Sequence, residues 1–264
     1  MLIPFTQLIA SIQSQGEARY GLTISPDWMQ GRTTYGGLSA ALCLHAALPL
    51  AGGMPLRSAQ LAFIGPVAGE VSFTASRLRQ GKNTALVEAS LYGETGEVAS
   101  RAVFIFGASR QSPHGQPHRL TCPQVTAPEE TEFTFPKMMG PSFFNHFDVK
   151  LVRGGLPMSG QGGGDNLLWM RHADRAAPND ALSLLALGDA APPAALSTVT
   201  SPARISSMNW SIDVLTDQFV TEEGWWLEHI EAQTLGNGYS SQAMTLWNTS
   251  GEPALISRQM VAVF

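Results

Sequence analysis

The chain carries the same pattern of turn glycines twice, at a fixed spacing. Gly81 and Gly96 in the first copy correspond to Gly236 and Gly251 in the second, an offset of 155 positions (236 − 81 and 251 − 96). A Leu-aromatic pair lies between the two glycines of each copy, at the same offset. A repeat this long indicates a duplicated domain rather than short solenoid units.

Each copy combines one apolar helix with a series of strands. The first helix is predicted to begin at Gly36-Gly37 and to end before Pro49, and the second is predicted over Pro178–Asp189. A strand is predicted before the first helix and two before the second, at 18–24, 143–152 and 166–172. Four strands follow each helix, at 57–64, 71–78, 84–92 and 98–106, then at 204–214, 225–233, 239–247 and 253–264. The short Gly- and Pro-containing connections between them favour antiparallel hairpins.

This order of elements predicts an α+β fold. An antiparallel sheet must bury one face, and a helix that is apolar nearly all round needs cover on most sides. Both requirements are met if each sheet curls round its own long central helix. We expect the two sheets to pair edge to edge into one continuous sheet, because this buries the most apolar area.

The boundaries follow from the two copies and from the proline-rich stretch between them. We predict an N-terminal domain over 1–108, a Pro-rich linker over 109–141 and a C-terminal domain over 142–264. His114 and His118 lie four apart in the linker, and we interpret them as solvated side chains, so no metal site is expected.

Composition excludes several classes of protein. A net charge of −5 argues against nucleic-acid binding, which needs a basic surface. No run of about 18 apolar residues predicts a membrane span. Cys43 and Cys122 give no disulfide framework, and no basic residue precedes the apolar part of the N-terminus as in a signal peptide. We therefore expect a cytoplasmic protein.

Two short motifs carry a family resemblance. Tyr35-Gly36-Gly37 at the start of the first helix and Leu78-Arg79-Gln80-Gly81 between two strands are similar to motifs of the acyl-CoA thioesterase II-like family. This resemblance implies a double hotdog fold with a catalytic Asp, Ser or Thr, and Gln in the second copy, which fall on Asp189, Ser207 and Gln259. Met208-Asn209-Trp210 follows Ser207, where the family commonly has Ile-Asp-His.

The resemblance implies hydrolysis of a fatty or aryl acyl-CoA thioester. Asp189 would orient and deprotonate a water molecule that Ser207 and Gln259 hold in line with the carbonyl carbon. Backbone N–H groups near Gly36-Gly37 or near Asn179-Asp180 are candidates for binding the oxyanion.

Coenzyme A would enter as part of the substrate, and no other cofactor is implied. Its phosphates could meet Arg32, Arg153 or Arg171, which lie near predicted loops or strand ends.

Strand alternation leads to different expectations for Gln259 and Ser207. Gln259 shares its strand face with the apolar Leu255 and Val261. We therefore expect its amide to be buried and to have a functional role. Ser207 on a regular strand shares a polar face with Asn209, and if that face meets solvent, Ser207 cannot reach Asp189. A bulge in the strand, or a polar groove between the two halves, would be needed for the Ser207 side chain to reach Asp189.

Two other functions stay open at the level of sequence. The chain could be a non-catalytic acyl- or lipid-binding protein that kept the fold and lost the chemistry. A hotdog hydratase is disfavoured, because no Asp followed by His at the Asp-x4-His spacing lies near either helix. The sequence leaves acyl length undetermined, and it is compatible with a homodimer.

Overall fold

A single antiparallel sheet forms most of the molecule. The computed structural model of the chain describes residues 2–111, 113, 120–138 and 140–264. The strands in this part are β1 Gln13–Gly16, β2 Arg19–Ile24, β3 Met29–Gln30, β4 Thr33–Thr34, β5 Leu56–Phe63, β6 Gly69–Gln80, β7 Thr84–Tyr92, β8 Val98–Gly107, β9 Phe133–Thr134, β10 Phe147–Arg153, β11 Asp165–His172, β12 Ile205–Val214, β13 Trp226–Gly236, β14 Tyr239–Trp247 and β15 Pro253–Val263.

The main sheet has thirteen strands in the order β1-β2-β6-β7-β8-β5-β12-β15-β14-β13-β11-β10-β9. Its two halves meet where β5 pairs antiparallel with β12, with Leu61 opposite Trp210. The predicted edge-to-edge pairing into one continuous sheet is therefore confirmed.

The duplication is visible in the strands themselves. β7 and β14 are offset by 155 at both ends (239 − 84 and 247 − 92), as the glycine pattern predicted. Ala102 lies opposite Leu61 in the first half, and Gln259 lies opposite Trp210 in the second. Beside the junction of β5 and β12, Ala102 therefore takes the place of Gln259, and only the second half carries an amide there.

Among the described residues, three α-helices accompany the sheet: α1 Phe5–Ala10, α2 Gly36–Ala47 and α3 Ala181–Leu187. Short 3-10 helices lie at Pro26–Trp28, Leu48–Leu50, Pro128–Glu130, Ser142–His146, Ala194–Thr198 and Glu222–Gly224. α2 packs on β6, β7 and β8 and against α3, and α3 also contacts β11. Leu38, Leu42 and Leu44 of α2 are fully buried, each contributing about 1.5–3 kcal/mol of apolar transfer free energy. The two helices thus form the centre of the core.

The expectation of a long central helix in each half is wrong for the second half. α3 has seven residues, whereas the prediction ran over Pro178–Asp189. The side chain of Asp180 accepts a hydrogen bond from the Ser183 N–H at 2.8 Å, which begins the helix at Ala181. The helix ends at Leu187, so Asp189 lies just beyond its C-terminal cap, Gly188.

The first part of the segment 120–138 lies against the outer face of the second half. Cys122 and Val125 pack on a cluster of Trp169, Trp225 and Trp247, and the Trp169 indole donates to the Thr126 carbonyl. β9 pairs with β10 as the last strand of the sheet. These tryptophans therefore pack under this segment, away from the helices. His114 and His118 lie outside the described residues.

Candidate active site

Asp189 lies where the two helices meet. The Tyr35 hydroxyl donates to the carbonyl of Ala186 at 3.0 Å, which ties the start of α2 to the end of α3. Tyr35 is fully buried and stacks on Phe143 with ring centroids 4.3 Å apart. The Gly37 N–H lies near the Asp189 carboxylate and favours its ionised form. The first turn of α2 therefore presents its positive end to Asp189.

Both glycines of the Tyr-Gly-Gly motif allow this close approach. A Cβ atom at Gly37 would lie 2.6 Å from the carbonyl oxygen of Ala186. A Cβ atom at Gly36 would lie 2.5 Å from Oδ2 of Asp189. Neither position has room for a side chain, so the motif brings the carboxylate against the backbone of α2.

Gln259 supplies a second donor to Asp189 from the sheet. Its Nε2 donates to Oδ1 of Asp189 in a short hydrogen bond, and its Oε1 accepts from Nε2 of Gln242 at 2.9 Å. Both glutamines are almost fully buried, at 3% and 1% exposure. An ionised carboxylate only accepts, so the chain of amides has one direction, from Gln242 through Gln259 to Asp189.

Gln242 was missed by the sequence analysis. It lies on β14 between Ser240 and Met244, on the face that turns towards the helices. An amide among apolar residues on one strand face was the signal used for Gln259, and it would have indicated Gln242 as well.

A bulge changes the orientation of Ser207. The pairing of β12 with β15 shifts between Ser207 and Asn209, so that Ser207 lies opposite Val261 and Asn209 opposite Met260. Val261 is fully buried on the same face as Gln259. The outward orientation that regular alternation predicted is therefore wrong, because the extra residue, Met208, resets the alternation. Ser207 is half-buried and diagonal to Gln259, a spacing of about 7–8 Å.

Burial governs the electrostatics of the site. It raises the pKa of Asp189 from its usual 3.8 to about 7, although the hydrogen bonds from Gln259 and Gly37 act in the opposite direction. Burial and the nearby charge of Asp189 also raise the pKa of Tyr35 well above its usual value, so its hydroxyl stays protonated. A carboxylate with a pKa of about 7 that is still partly exposed is suited to proton transfer near neutral pH.

The three arginines considered for phosphate binding lie in different places. Arg32 is exposed in the turn between β3 and β4, four residues before Gly36. Arg153 pairs with Asp165 at 3.0 Å. Arg171 pairs with Asp148 at 3.0 Å, and its guanidinium lies 4.2 Å from the ring centre of Trp225 on the outer face. Only Arg32 is next to the Tyr-Gly-Gly motif.

Within the part of the chain that the structure describes, no group of three or more His, Cys, Asp or Glu side chains could hold a metal ion. No helix in the same residues is long and apolar enough to cross a membrane.

Comparison with solved structures identifies the class of fold. A hotdog-fold protein of unknown function from Alicyclobacillus acidocaldarius matches with a TM-score of 0.84 and 21% identity, over 96% of this chain and 95% of the other. A proposed thioesterase II from Thermobifida fusca matches with a TM-score of 0.82 and 18% identity, over 100% of both chains. The acyl-CoA thioesterase II TesB2 from Mycobacterium marinum matches with a TM-score of 0.76 and 16% identity, over 98% and 97%. The chain therefore has a hotdog fold.

Family models define the relationship further. The acyl-CoA thioesterase N-terminal domain matches residues 24–107, and the acyl-CoA thioesterase C-terminal domain matches residues 120–263. A comparison with curated proteins gave no match. The chain belongs to the acyl-CoA thioesterase family, whose members are thioester hydrolases.

Proposed function

We propose that the protein hydrolyses a fatty or aryl acyl-CoA thioester with a water molecule activated by Asp189. The observation that carries this proposal is the position of Asp189 at the meeting point of α2 and α3. The Gly37 N–H and the Gln259 amide orient its carboxylate, and burial brings its pKa to about 7. A general base with such a pKa is half ionised at neutral pH and still basic enough to accept a proton from water.

The reaction is a direct hydrolysis. Asp189 takes a proton from the water as the water oxygen forms a bond to the thioester carbonyl carbon. The resulting tetrahedral oxyanion collapses, and the carbon–sulfur bond breaks. The leaving thiolate of coenzyme A takes up the proton that Asp189 accepted, which restores the carboxylate, and the products are a carboxylic acid and free coenzyme A.

Neighbouring groups have distinct tasks in this proposal. Gln259 fixes Oδ1 of Asp189, which leaves Oδ2, the oxygen close to Gly36, for the water. The Gly36 N–H, in the first turn of α2, has no carbonyl partner within the helix and is the preferred donor to the oxyanion. Ser207 would hold the water from the other side, since the bulge turns it to the face of Gln259.

Coenzyme A enters as part of the substrate in this proposal, and no further cofactor takes part. The exposed Arg32, next to the Tyr-Gly-Gly motif, is the preferred contact for its phosphates. We place the protein in the cytoplasm on the strength of its two free thiols, Cys43 and Cys122. A homodimer stays a prediction.

The test is release of free thiol from a panel of straight-chain and aryl acyl-CoAs. The proposal expects turnover by the wild type and a loss of at least ~10²-fold in kcat for Asp189→Asn, since a general base contributes about that much. Asp213→Asn, an exposed aspartate on β12, is the matched control and should retain wild-type activity.

Two results would contradict the proposal. Unchanged turnover in Asp189→Asn would mean that the base lies elsewhere. Binding of acyl-CoAs without any thiol release by the wild type would favour the alternative, a non-catalytic acyl-binding protein.

A further inference from the structure

A buried carboxyl group without a protein partner lies on the inner face of the second half. Glu228 on β13 is fully buried, and neither of its carboxyl oxygens has a hydrogen-bond partner within the protein. A buried polar group left unpaired costs about 1–3 kcal/mol, and more when it is charged. Such a group therefore indicates a water molecule or a ligand with which it forms a hydrogen bond.

Glu228 faces the helices. Trp226 and Ile230, two positions to either side of it on β13, belong to the core cluster that contains α2 and α3. Leu246 and Leu168, its partners on the two neighbouring strands, belong to the same cluster. The side chain therefore points into the space between the sheet and α3.

An open pocket lies beside this space. A pocket of about 300 Å³ lies along α3, and Leu184, Leu187 and Trp226 form part of its wall. Glu228 is the next inward-facing residue after Trp226. The charge of Asp189, two residues beyond Leu187, adds to burial in raising the pKa of Glu228 well above its usual value. Glu228 is thus within electrostatic range of Asp189 and next to the pocket.

Other polar atoms on the same face also lack partners. The Trp210 indole N–H, Oε1 of Gln242 and the Ser257 hydroxyl are buried without a hydrogen bond. Trp210 and Gln242 lie opposite Gln259 on the two neighbouring strands, and Ser257 is two residues from Gln259 on β15. A pocket for a plain alkyl chain would need only apolar groups, whereas this face of the sheet has several donors and acceptors to satisfy.

The charges around Glu228 restrict what it can bind. The basic residues of β10–β15 in the described chain, Lys150, Arg153, Arg171 and Arg258, lie on the outer face. None of these cations lies on its own face, and burial and the charge of Asp189 both raise the pKa of Glu228 and so favour its protonated form, which carries one O–H donor and one free acceptor. An anionic substituent beside Glu228 would meet the charge of Asp189, and Arg175, the arginine that lines the pocket, is already paired with Glu223 at 2.8 Å. The group that fits is therefore a neutral oxygen.

We propose that the acyl site takes acyl groups bearing a hydroxyl or oxo oxygen beyond the thioester carbonyl, and that Glu228 is the specificity-determining residue that hydrogen-bonds this oxygen. The proposal rests on the proposed thioesterase function and names the class of its substrate. A site built to hydrogen-bond a substrate oxygen discriminates against the analogue without it, because its own polar groups are then left unpaired.

The experiment compares acyl-CoAs of equal chain length, unsubstituted or with a hydroxyl at successive carbons. The wild type should show kcat/KM at least ~10-fold higher for one hydroxylated position than for the plain chain. Glu228→Leu should remove this preference, whereas Glu228→Gln, which keeps a donor and an acceptor, should retain most of it. Glu231→Leu, on the exposed face of the same strand, is the matched control and should leave the preference unchanged.

A second measurement needs no variant and no turnover. Calorimetry should show tighter binding of the wild type to the hydroxylated member of a matched pair of S-alkyl thioethers of coenzyme A. Equal affinity for the two thioethers, or an equal preference in wild type and Glu228→Leu, would overturn the role of Glu228. A wild type that hydrolyses no acyl-CoA but still prefers the hydroxylated thioether would contradict the proposed function alone.

Discussion

Gly36 shows how one missing side chain determines where a functional group lies. Its Cα faces Oδ2 of Asp189, and a Cβ atom there would come within 2.5 Å of that oxygen. The contact is with the end of a side chain rather than with backbone, so the site and not the fold should respond to a substitution. Gly37 differs, because its Cβ would meet the backbone carbonyl of Ala186.

Gly36→Ala should therefore displace the Asp189 carboxylate while the protein stays folded. We expect kcat for thiol release to fall by ~10²-fold, because a misplacement of about 1 Å has that effect. Thermal unfolding should show a smaller loss of stability than in Gly37→Ala. Gly65→Ala is the control, since its Cβ would enter open space. Wild-type kcat in Gly36→Ala would show that Oδ2 is not the reacting oxygen.

Asp189 should also limit the stability of the protein. Its pKa in the folded state, about 7, is above its usual 3.8, so its contribution to stability is complete below pH 3.8 and is lost as the pH rises to about 7. Asp189→Asn removes this dependence. At pH 8 its free energy of unfolding should exceed that of the wild type by a few kcal/mol, on the order of the pKa shift.

The same comparison at pH 4 should show little difference, because both forms are then neutral. Urea unfolding of wild type and Asp189→Asn at the two pH values measures the effect. A stability difference that is the same at pH 4 and pH 8 would argue against a raised pKa at this position.

At the scale of elements, the stability of α3 depends on the residue that caps its N-terminus. A helix of seven residues is marginal alone, so its cap and its packing must fix its ends. Asp180→Ala removes the hydrogen bond to the Ser183 N–H and should lower the free energy of unfolding by ~1 kcal/mol. Asp180→Asn, which keeps a capping oxygen, should lose only part of that in the same urea titration. Equal stability of the alanine variant and the wild type would show that packing alone fixes α3.

The sequence predicted the presence of helices and strands better than it predicted their first and last residues. β7 and β14 were predicted with their observed bounds, because strongly alternating strands lie between clear glycine turns. The predicted helix over Pro178–Asp189 was too long at both ends, since Asp180 caps the helix and the backbone leaves it at Gly188. β9 was missed because two residues in a proline-rich segment have no periodicity to detect.

The site was predictable where an odd residue interrupts a regular pattern. Gln259 was noticed as an amide on an apolar face, and its contact with Asp189 follows. Ser207 could not be oriented from sequence, because a bulge at Met208 is a property of the pairing between two strands. Glu228 was overlooked because a single acid in a strand predicts exposure, not burial.

At the scale of the whole molecule, both halves build the surroundings of Asp189. The first half gives Tyr35, Gly36 and Gly37, and the second gives Asp189 itself and Gln259. The duplicated halves have diverged in chemistry, since Ala102 occupies in the first half the register position of Gln259. One site per chain is therefore expected from a fold that repeats twice.

The pH dependence of kcat/KM for acyl-CoA hydrolysis tests the central role of Asp189 most directly, because it reports the ionisation of the base in the free enzyme. Tyr35, whose pKa burial and the charge of Asp189 raise well above its usual 10, stays protonated through neutral pH. We predict that kcat/KM rises with pH, with a midpoint at about 7, and that Asp189→Asn loses both this rise and most of the rate. A profile that is flat between pH 5 and 8, or one that Asp189→Asn leaves unchanged, would contradict the account.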